Sequence, residues 1–298
     1  MFMLAKKLSN IVGEKNLILD APLKDICTYG IGGKAKYLVY PTNFQDCFDV
    51  VKLAELNDVK YKIVGNASNL LFVDDGFDGI IIGTKKINEC IILPDNKILA
   101  SAGTMLSKLL AVSIENELSG LEFLFGIPAT VGGAILNNSG ANGNEIKNVL
   151  LSVTYYENGE IKTESVDQLD LSYRHSKFTK KNAIIMFAEF KLKKGKKQDI
   201  LQTISDFKNK RQNSQPTQKS AGCVFKKCGD YPAGLLIDKA GLKGTTVGGA
   251  RISEVHANFF VNFGNASSND ILQLIEIAKK EIKEKYNKDL QLEIEVVK

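Results

Sequence analysis

Short apolar runs alternate with amphipathic stretches through the first hundred residues, which predicts a fold that mixes strands and helices. Residues 36–41 (KYLVYP) predict a strand that stops at Pro41, and Thr42 and Gln45 then form the pattern of a capping box for a helix over 44–56. The further predictions are strands at 61–65 and 79–83, a hairpin over 91–102 that turns at Asp95-Asn96, and a helix that Thr104 caps and that runs through Glu117.

The middle of the chain, residues 118–148, differs in composition from both sides. It contains the run LFGIPATVGGAILNNSGANG, which is dense in Gly, Asn and small residues but too apolar for a disordered linker. Glycine lets a backbone approach a ligand closely, so this segment suits a binding surface. On its C-terminal side, Asn158-Gly159 predicts a hairpin turn between the strands LLSVTYYE and EIKTES.

The last third of the chain follows a predicted strand at 183–192 and a polar, lysine-rich interval, 193–220, which marks a domain boundary. A helix near 233–240 and a strand at 258–262 come next, and the alternation in LQLEIEVV predicts a closing strand at 290–297. The pattern as a whole is α+β, and the length of the chain favours two or three domains. A long helix before the last strand is predicted to have its cap near Ser267 and one apolar face, formed by Ile271, Leu274, Ile275, Ala278 and Ile282.

Composition excludes several classes of protein. Of the 298 residues, 44% are hydrophobic, and no apolar run approaches the ~20 residues that cross a bilayer. The start MFMLAKKLSN lacks a signal-like core and predicts an amphipathic helix, so the expected location is the cytoplasm. The net charge of +5 is spread out, and its densest run, KLKKGKK at 191–197, lacks the interleaved aromatic residues of nucleic-acid surfaces. Five widely spaced cysteines indicate free thiols and no metal site: Cys27, Cys47, Cys90, Cys223 and Cys228.

Two glycine-containing segments are candidates for a phosphate-binding turn. Residues 30–35 (GIGGKA) match a dinucleotide-binding pattern, but the residues after them predict a strand where that motif requires a helix. A Rossmann site is therefore excluded, and both a turn beside a ligand and a plain structural turn remain open. In 65–79 (GNASNLLFVDDGFDG), small polar residues follow a strand and present successive backbone N–H groups, which suits either a pyrophosphate site or a polar surface loop.

The order of these motifs resembles one enzyme family. GNASNLL, GIPATVGGAILNNSGANG, YRHS, SAGCVFK, AGLLIDKAGLKG, GGARISEVHANFFVN and a terminal LEIEVV follow one another, from about Pro22 to Val297, as in UDP-N-acetylenolpyruvoylglucosamine reductases. The resemblance implies a two-lobed FAD-binding fold of the vanillyl-alcohol-oxidase type and a C-terminal α+β substrate domain. We therefore divide the chain into an FAD-binding lobe at 1–85, a second lobe at 86–203, and a substrate domain at 204–298 whose last strand returns to the active site.

The resemblance also implies where FAD binds. The histidines of the sequence are His175 and His256, so the histidyl attachment that some oxidases of the wider fold make in their N-terminal part is excluded, and FAD is expected to bind non-covalently. The residues implied to contact the cofactor are Tyr29, Gly30, Gly32, Gly33, Gly65, Asn66, Ala67, Ser68, Asn69, Leu70, Gly126, Pro128, Gly132, Gly133, Asn137, Gly140, Ala141 and Gly143.

The chemistry that the resemblance implies is the reduction of an enolpyruvyl ether of a UDP-sugar, with NADPH as electron donor, to give the UDP-N-acetylmuramate of peptidoglycan synthesis. Hydride adds to the terminal vinyl carbon, so negative charge develops on the neighbouring carbon and carboxylate and requires an oxyanion stabiliser and a proton donor. Arg174 in LSYRHSK is the implied stabiliser, because a guanidinium stays charged and binds a carboxylate through two hydrogen bonds. Without the resemblance, the pattern indicates a surface arginine.

Cys223 and Glu293 complete the implied catalytic set. Cys223 stands where most members of the family have a proton-donating serine, and a thiol, with a reference pKa near ~8.5, is mostly protonated at neutral pH. An isolated cysteine is otherwise typical of a small buried hydrophobe. Glu293 is implied to pair with the substrate carboxylate, although strand alternation groups it with Glu295 on a solvent-facing side. The family often has a basic residue at the position of Glu295, which favours Glu293.

The resemblance further implies that the UDP-sugar binds to Tyr173, Arg211, Gln215, Lys226 and Lys227, with Lys227 in place of the family's usual asparagine. The interval 191–220 contains no tyrosine, as in the subclass without a tyrosine-bearing loop that closes over the substrate. A monomer is expected. Two other functions remain open: an FAD-dependent oxidase of sugars or alcohols with the same wider fold, and a nucleotide-binding module without chemistry.

Overall fold

Most of the predicted helices and strands are present in the computed structural model, which describes residues 2–179 and 183–298. The helices are α1 (Phe2–Val12), α2 (Phe44–Leu56), α3 (Leu106–Glu115), α4 (Val131–Leu136), α5 (Lys197–Ser214), α6 (Ala233–Lys239) and α7 (Ser268–Tyr286). The strands are β1 (Leu17–Pro22), β2 (Lys34–Val39), β3 (Tyr61–Val64), β4 (Leu70–Phe72), β5 (Phe77–Gly83), β6 (Cys90–Leu93), β7 (Lys97–Ser101), β8 (Leu118–Ser119), β9 (Gly140–Ala141), β10 (Asn144–Glu145), β11 (Leu150–Glu157), β12 (Glu160–Ser165), β13 (Ile184–Lys191), β14 (Lys193–Lys194), β15 (Thr246–Val247), β16 (Ala250–Ile252), β17 (Phe260–Asn262) and β18 (Glu295–Val297).

The chain folds into two compact units, each assembled from separate stretches of sequence. The described residues of the first unit fall within Met1–Leu17, Val39–Asn66 and Ile82–Arg211, and those of the second within Ile18–Leu38, Ala67–Ile81 and Gln212–Lys298. Each unit has its own cluster of buried apolar side chains. The three-part division at 85 and 203 stays a prediction.

The first unit is built around an antiparallel sheet with the strand order β12-β11-β13-β7-β6. Its two hairpins turn where the sequence predicted: Asp95 and Asn96 have φ values of 61° and 58°, and Asn158 and Gly159 have φ values of 52° and 88°. Positive φ at both central residues favours Asn, Asp and Gly and matches the twist of paired strands. The core of this unit includes Ile98, Leu109, Val131, Ile135, Tyr155, Phe178 and Phe190.

The second unit contains β1, β2 and β5 as neighbours in one sheet, and β15, β16 and β17 in another. Helix α7 begins at the predicted cap, Ser267, and its five predicted apolar positions are all buried. The last strand, β18, pairs in parallel with β4, with Glu295 opposite Leu70 and Val297 opposite Phe72. A strand from the first third of the sequence thus pairs with the last strand.

Two predicted helix caps are wrong, although their helices are present. Helix α2 is capped by Asn43, whose side chain accepts a hydrogen bond from the backbone N–H of Asp46, so the predicted pair Thr42 and Gln45 lies one residue too early. Before α3, the Thr104 hydroxyl donates instead to the carbonyl of Glu89 at 2.8 Å, and the helix begins after Met105. At α2 the error arises because neighbouring hydroxyl and amide side chains can accept from the same backbone donors. At α3 no described side chain caps the helix, since the Thr104 hydroxyl is used as a donor elsewhere.

Two segments near the end of the chain also differ from prediction. The interval 193–220 contains α5, an 18-residue helix in which Ile200 is buried and most other side chains are solvated. A helix that is polar on most sides lacks the periodic signal that predicts it. The predicted strand 290–297 is reduced to β18, because the backbone bends at Glu293 and Ile294 and both of their N–H groups point to the carbonyl of Val224, at 2.8 and 3.4 Å.

The strand after the glycines at 30–33 and the state of the cysteines are as predicted in the described part of the chain. A strand, β2, follows the glycines at 30–33, as the exclusion of a Rossmann site requires. All five cysteines are free thiols, and no cluster of metal-ligating side chains is found among the residues with described positions. Within those residues, no helix is long and apolar enough to cross a membrane.

Candidate active site

In the first unit, the start of the loop after β3 is fastened to the segment around Pro128. The Asn66 side chain donates a 2.7 Å hydrogen bond to the Pro128 carbonyl and accepts one from Lys85 Nζ at 3.2 Å. A Cβ added to Gly65 would overlap the hydroxyl of Thr130, so glycine is required there by the close approach of the two segments. The structure thus brings together Gly65, Asn66 and Pro128, which the sequence assigned to one cofactor site.

Gly126 and Arg211 form a second pair of predicted residues in this unit. Gly126 has φ 76°, and a Cβ added to it would lie 2.8 Å from Cδ and 2.9 Å from Nε of Arg211. The absence of a side chain therefore lets the Arg211 stem pack directly on the backbone. Arg211 is presented by the last turns of α5, the helix that the sequence pattern did not predict. A predicted cofactor residue and a predicted substrate residue are neighbours here.

The glycine-rich middle segment continues through α4. Thr130 caps this helix, and Gly132 N–H donates to the Ala102 carbonyl at 2.8 Å, while Gly133 lies in the first turn. Asn137 follows as the last, C-cap residue. Gly140 and Ala141 then pair with β10 around a tight turn at Asn142 and Gly143, and no described atom lies within 4 Å of a Cβ added to Gly143.

Arg174 lies in a tight turn of the first unit. Ser172 and His175 exchange backbone hydrogen bonds of 3.2 and 3.1 Å, which leaves Tyr173 and Arg174 at the tip. Arg174 has φ 53°, a left-handed conformation that is uncommon for a residue with a side chain and that concentrates at functional sites. Its guanidinium carbon lies 5.4 Å from the ring centre of Tyr173, which is 44% exposed. The turn therefore presents a cation and an aromatic ring together.

In the second unit, the turn Tyr29–Gly33 is packed against the C-terminal part of the chain. Asn262 Nδ2 donates to the carbonyls of Tyr29 and Gly30 at 3.2 and 3.4 Å. Tyr29 itself is fully buried in the apolar cluster, and burial raises the pKa of its phenol well above the ordinary value. Because the side chain is buried, Tyr29 could contact a ligand only through its backbone. Gly32 and Gly33 lie against Phe72 and Asp74 with no space for a side chain.

In the same unit, the loop at 67–70 is hydrogen-bonded to Glu293, and Glu293 is hydrogen-bonded to the residue after Cys223. Asn69 Nδ2 donates to the Glu293 carbonyl at 2.9 Å, and the Asn69 carbonyl accepts from Glu295 N–H at 2.9 Å. Glu293 N–H donates to the carbonyl of Val224, the residue after Cys223, at 2.8 Å. Cys223 and Glu293 are both half-buried, whereas Glu295 is exposed. The Asn69 side chain and the Val224 carbonyl thus both bind the backbone of Glu293, and Val224 is the residue after Cys223.

The chemistry of the loop suits an anion. Ala67 has φ 47°, and none of the backbone N–H groups of Ala67, Ser68 and Asn69 has an acceptor in the described part of the chain. Successive N–H groups around a left-handed residue form a concave anion site, so these donors fit the pyrophosphate of a dinucleotide. Among the other predicted residues, Leu70 begins β4, Gln215 follows α5, and Lys226 donates its N–H to the Gln291 carbonyl beside the exposed Lys227.

Sequence patterns did not point to several asparagines that hold this machinery. Asn258 is buried, and its side chain bonds to both the N–H and the carbonyl of Phe225, at 3.0 and 2.8 Å. Asn262 contacts the turn at Tyr29, and Asn138 contacts the Arg174 turn through the Ser172 carbonyl. The motif HANFFVN contains the first two, but spacing within one motif gives no sign of partners more than 30 residues away.

Comparison with known protein families first defines the class. Residues 35–163 match the model of an FAD binding domain, and residues 215–297 match that of the UDP-N-acetylenolpyruvoylglucosamine reductase C-terminal domain. The fold is also similar to that of alkyldihydroxyacetonephosphate synthase, with a TM-score of 0.50 at 14% identity, over 65% of this chain and 40% of that one. The protein is an FAD-dependent oxidoreductase, and the predicted α+β class, an FAD-binding fold of the vanillyl-alcohol-oxidase type with a C-terminal α+β domain, is confirmed.

Full-length relatives then define the family. The UDP-N-acetylenolpyruvoylglucosamine reductases of Clostridium novyi (strain NT) and Carboxydothermus hydrogenoformans are 38% and 41% identical to this chain over 98% and 99% of its length, and 95% and 96% of theirs. The crystal structure of the Thermus caldophilus reductase matches with a TM-score of 0.78 at 34% identity, over 95% of this chain and 98% of that one. This chain belongs to the UDP-N-acetylenolpyruvoylglucosamine reductase family.

Proposed function

We propose that this protein reduces UDP-N-acetylglucosamine enolpyruvate to UDP-N-acetylmuramate, with NADPH as electron donor, in the synthesis of peptidoglycan precursors. Relatives of that name along 98–99% of the chain and the match to an FAD binding domain support the proposal. The assignment of roles to individual residues depends most on one observation, the hydrogen bond from Glu293 N–H to the carbonyl next to Cys223. We also infer a cytoplasmic monomer, and size-exclusion chromatography would test its oligomeric state.

The residues proposed to hold FAD lie in three segments of the sequence, 29–33, 65–70 and 126–143. When held there, FAD would supply the hydride for the reduction. The N–H groups of Ala67, Ser68 and Asn69 are proposed to bind the pyrophosphate, since they are donors without an acceptor in the described chain. Gly143 leaves open space beside the backbone, which suits the close approach of a large planar ligand.

Arg174 is proposed to bind the substrate carboxylate and to stabilise the negative charge that spreads onto it. A guanidinium donates two parallel hydrogen bonds to a carboxylate and keeps its charge at any physiological pH. The left-handed backbone at Arg174 fixes the start of the side chain, and the Tyr173 ring supports the guanidinium from one side. A charge held in place before the reaction stabilises the oxyanion without reorganisation.

Cys223 is proposed to donate the proton to the carbon that carries the carboxylate, and Glu293 to pair with that carboxylate or with its protonated enediol form. The proton leaves the thiol as negative charge collects on the carbon, which yields the lactyl ether and a thiolate that solvent reprotonates. The backbone bonds among Asn69, Val224 and Glu293 hold the two segments in register, which supports a joint role.

The UDP group is proposed to lie against Tyr173, Arg211, Gln215, Lys226 and Lys227. Three of these carry positive charge, and a diphosphate requires cations of that kind. Arg211 is proposed to approach the cofactor segment as well, because its stem packs on Gly126. Lys227, which replaces the usual asparagine, supplies an ammonium in place of an amide donor.

An anaerobic two-step experiment tests the function. Addition of NADPH should bleach the yellow flavin absorbance, and subsequent mixing with UDP-N-acetylglucosamine enolpyruvate should restore it while the sugar gains two hydrogen atoms by mass spectrometry. UDP-N-acetylglucosamine, which lacks the enolpyruvyl group, is the matched control and should leave the flavin reduced. A colourless protein, or flavin reduced by free sugars or alcohols and reoxidised by oxygen alone, would contradict the proposal.

A further inference from the structure

Asn138 adopts an unusual backbone conformation at the end of α4. It follows Asn137, the C-cap residue, and has φ 40°, in the left-handed region where asparagine is tolerated better than most residues. The residue is 1% exposed, so its carboxamide is removed from solvent. Burial of an amide costs free energy unless its donors and acceptor form hydrogen bonds, so the Asn138 carboxamide is expected to have a partner for each of these groups.

The Asn138 carboxamide links three segments of the first unit. Its Nδ2 donates to Glu145 Oε2 at 2.7 Å and to the Ser172 carbonyl at 3.1 Å. Its Oδ1 accepts a hydrogen bond from the Lys147 N–H at 3.1 Å. Both amide hydrogens and the carbonyl oxygen are therefore used, and an amide flipped end for end would place like groups against each other at all three contacts.

One of these contacts lies at the base of the Arg174 turn. Ser172 opens that turn and exchanges backbone hydrogen bonds with His175, so the position of its carbonyl fixes the entry into Tyr173 and Arg174. On the other side of the turn, the buried Ser176 hydroxyl donates to the Leu136 carbonyl at 2.8 Å. Both ends of the turn are thus hydrogen-bonded to the end of α4, one to Leu136 and one to Asn138 just beyond it, shortly before the predicted cofactor residues Gly140 and Ala141.

We propose that Asn138 is a positioning residue that holds the Arg174 turn in register with the cofactor-binding segment after α4. It touches neither substrate nor flavin and acts through Arg174. The inference rests on the proposed function, because it presupposes that Arg174 stabilises the developing charge. Arg174 in the turn and Asn138 beside it both have the left-handed backbone that residues with a side chain rarely adopt. Contacts with the surrounding structure must hold such a conformation, and the buried, hydrogen-bonded side chain of Asn138 supplies contacts of this kind.

The test compares Asn138→Gly with a matched control, Asn158→Gly. Both asparagines have positive φ, so glycine is compatible with either backbone, but the exposed Asn158 has no side-chain hydrogen bond with any described residue. Sugar reduction by the pre-reduced Asn138→Gly enzyme should slow by roughly ten- to a hundredfold, the cost of a misplaced catalytic group. Flavin content and reduction by NADPH should stay within about twofold of wild type, because the general acid–base and flavin groups are unchanged. Asn158→Gly should leave both steps unchanged.

A double-mutant cycle separates a positioning role from a general structural one. If Asn138 acts through Arg174, Asn138→Gly should have no further effect in an Arg174→Ala background. Multiplying effects would overturn the inference, as would a wild-type rate in Asn138→Gly. Should the glycine variant not fold, Asn138→Asp, which keeps the shape and the Lys147 contact but loses both donors, should show the same loss. An unchanged rate in Arg174→Ala alone would overturn the role proposed for Arg174 together with the inference, whereas loss of rate in Arg174→Ala but not in Asn138→Gly would overturn only the inference. The proposed function itself fails only if the wild-type protein does not reduce the UDP-sugar.

Discussion

Replacing Cys223 by alanine should separate the two half-reactions of the enzyme. The backbone hydrogen bonds from Val224 N–H to Asn258 O and from Glu293 N–H to Val224 O, both 2.8 Å, do not involve the thiol, so they persist in the variant. The loss is therefore expected in chemistry and not in folding. Removal of a general acid costs roughly 10²–10⁴ in rate, which is about 2.7–5.4 kcal/mol of activation free energy at 1.36 kcal/mol per tenfold.

Anaerobic stopped-flow measurement of the flavin absorbance gives both steps in one preparation. Reduction by NADPH should proceed at the wild-type rate in Cys223→Ala, and reoxidation by the UDP-sugar should show the full loss. Cys223→Ser should stay within about tenfold of wild type because a hydroxyl can also donate a proton. Cys228→Ala, which removes a half-buried thiol from the same segment, is the control and should change neither step. Wild-type reoxidation in Cys223→Ala would refute the assignment.

Three further predictions concern the turn at Arg174 and two titrating groups. Arg174→Gly should slow sugar reduction by about 10²–10³-fold, which stopped-flow rates would show. It should also stabilise the fold by roughly 1 kcal/mol, because glycine adopts the left-handed conformation without strain. A variant that urea unfolding at pH 7 shows to be less stable than wild type would contradict the idea that Arg174 is strained. A hydrogen bond from the Ser267 N–H is the main cause of the lowered pKa of Asp270. The stabilisation that the ionised carboxylate gives the fold is therefore present above pH ~4 and is lost as the pH falls through the lower pKa of the folded state. Asp270→Asn should lower the free energy of unfolding by about 1 kcal/mol at pH 7 and by nothing measurable near pH 2. Burial lowers the pKa of His256, so the stability that its neutral side chain contributes is present above pH ~6.5 and is lost on acidification. In His256→Phe the free energy of unfolding should therefore fall less between pH 7 and 5 than in wild type. An unchanged slope would contradict this prediction.

Elements with a strong local pattern were predicted well. Helix α7 shows its apolar face at a 3.6-residue period and a Ser267 cap, and the Asn158-Gly159 hairpin needs only its two turn residues. Helix α5 could not be predicted in this way, because most of its side chains are solvated and no periodic apolar face marks it. The break in the final strand was also hidden, since it depends on the Val224 carbonyl, about 70 positions away in the sequence.

The candidate site was predicted as segments and not as contacts. Glycine-rich motifs and the order in which they occur identified the regions around Gly65, Gly126 and Cys223. Side chains that fasten one segment of the site to another, such as Asn262 at the Tyr29 turn, can act between residues more than 200 positions apart. Such partners follow from the folded backbone, which a pattern in one stretch of sequence does not contain. Roles for Arg174, Cys223 and Glu293 stay predictions that the experiments above address.

The parallel ladder between β4 and β18 has a consequence for the order in which the second unit assembles. It joins Leu70–Phe72 to Glu295–Val297, so its two strands are separated by more than 200 positions of sequence. Domains generally fold as units during synthesis, yet this ladder can form only after residues 295–297 have been made. The pairing of β4 therefore comes after every other described strand of the second unit has been synthesised.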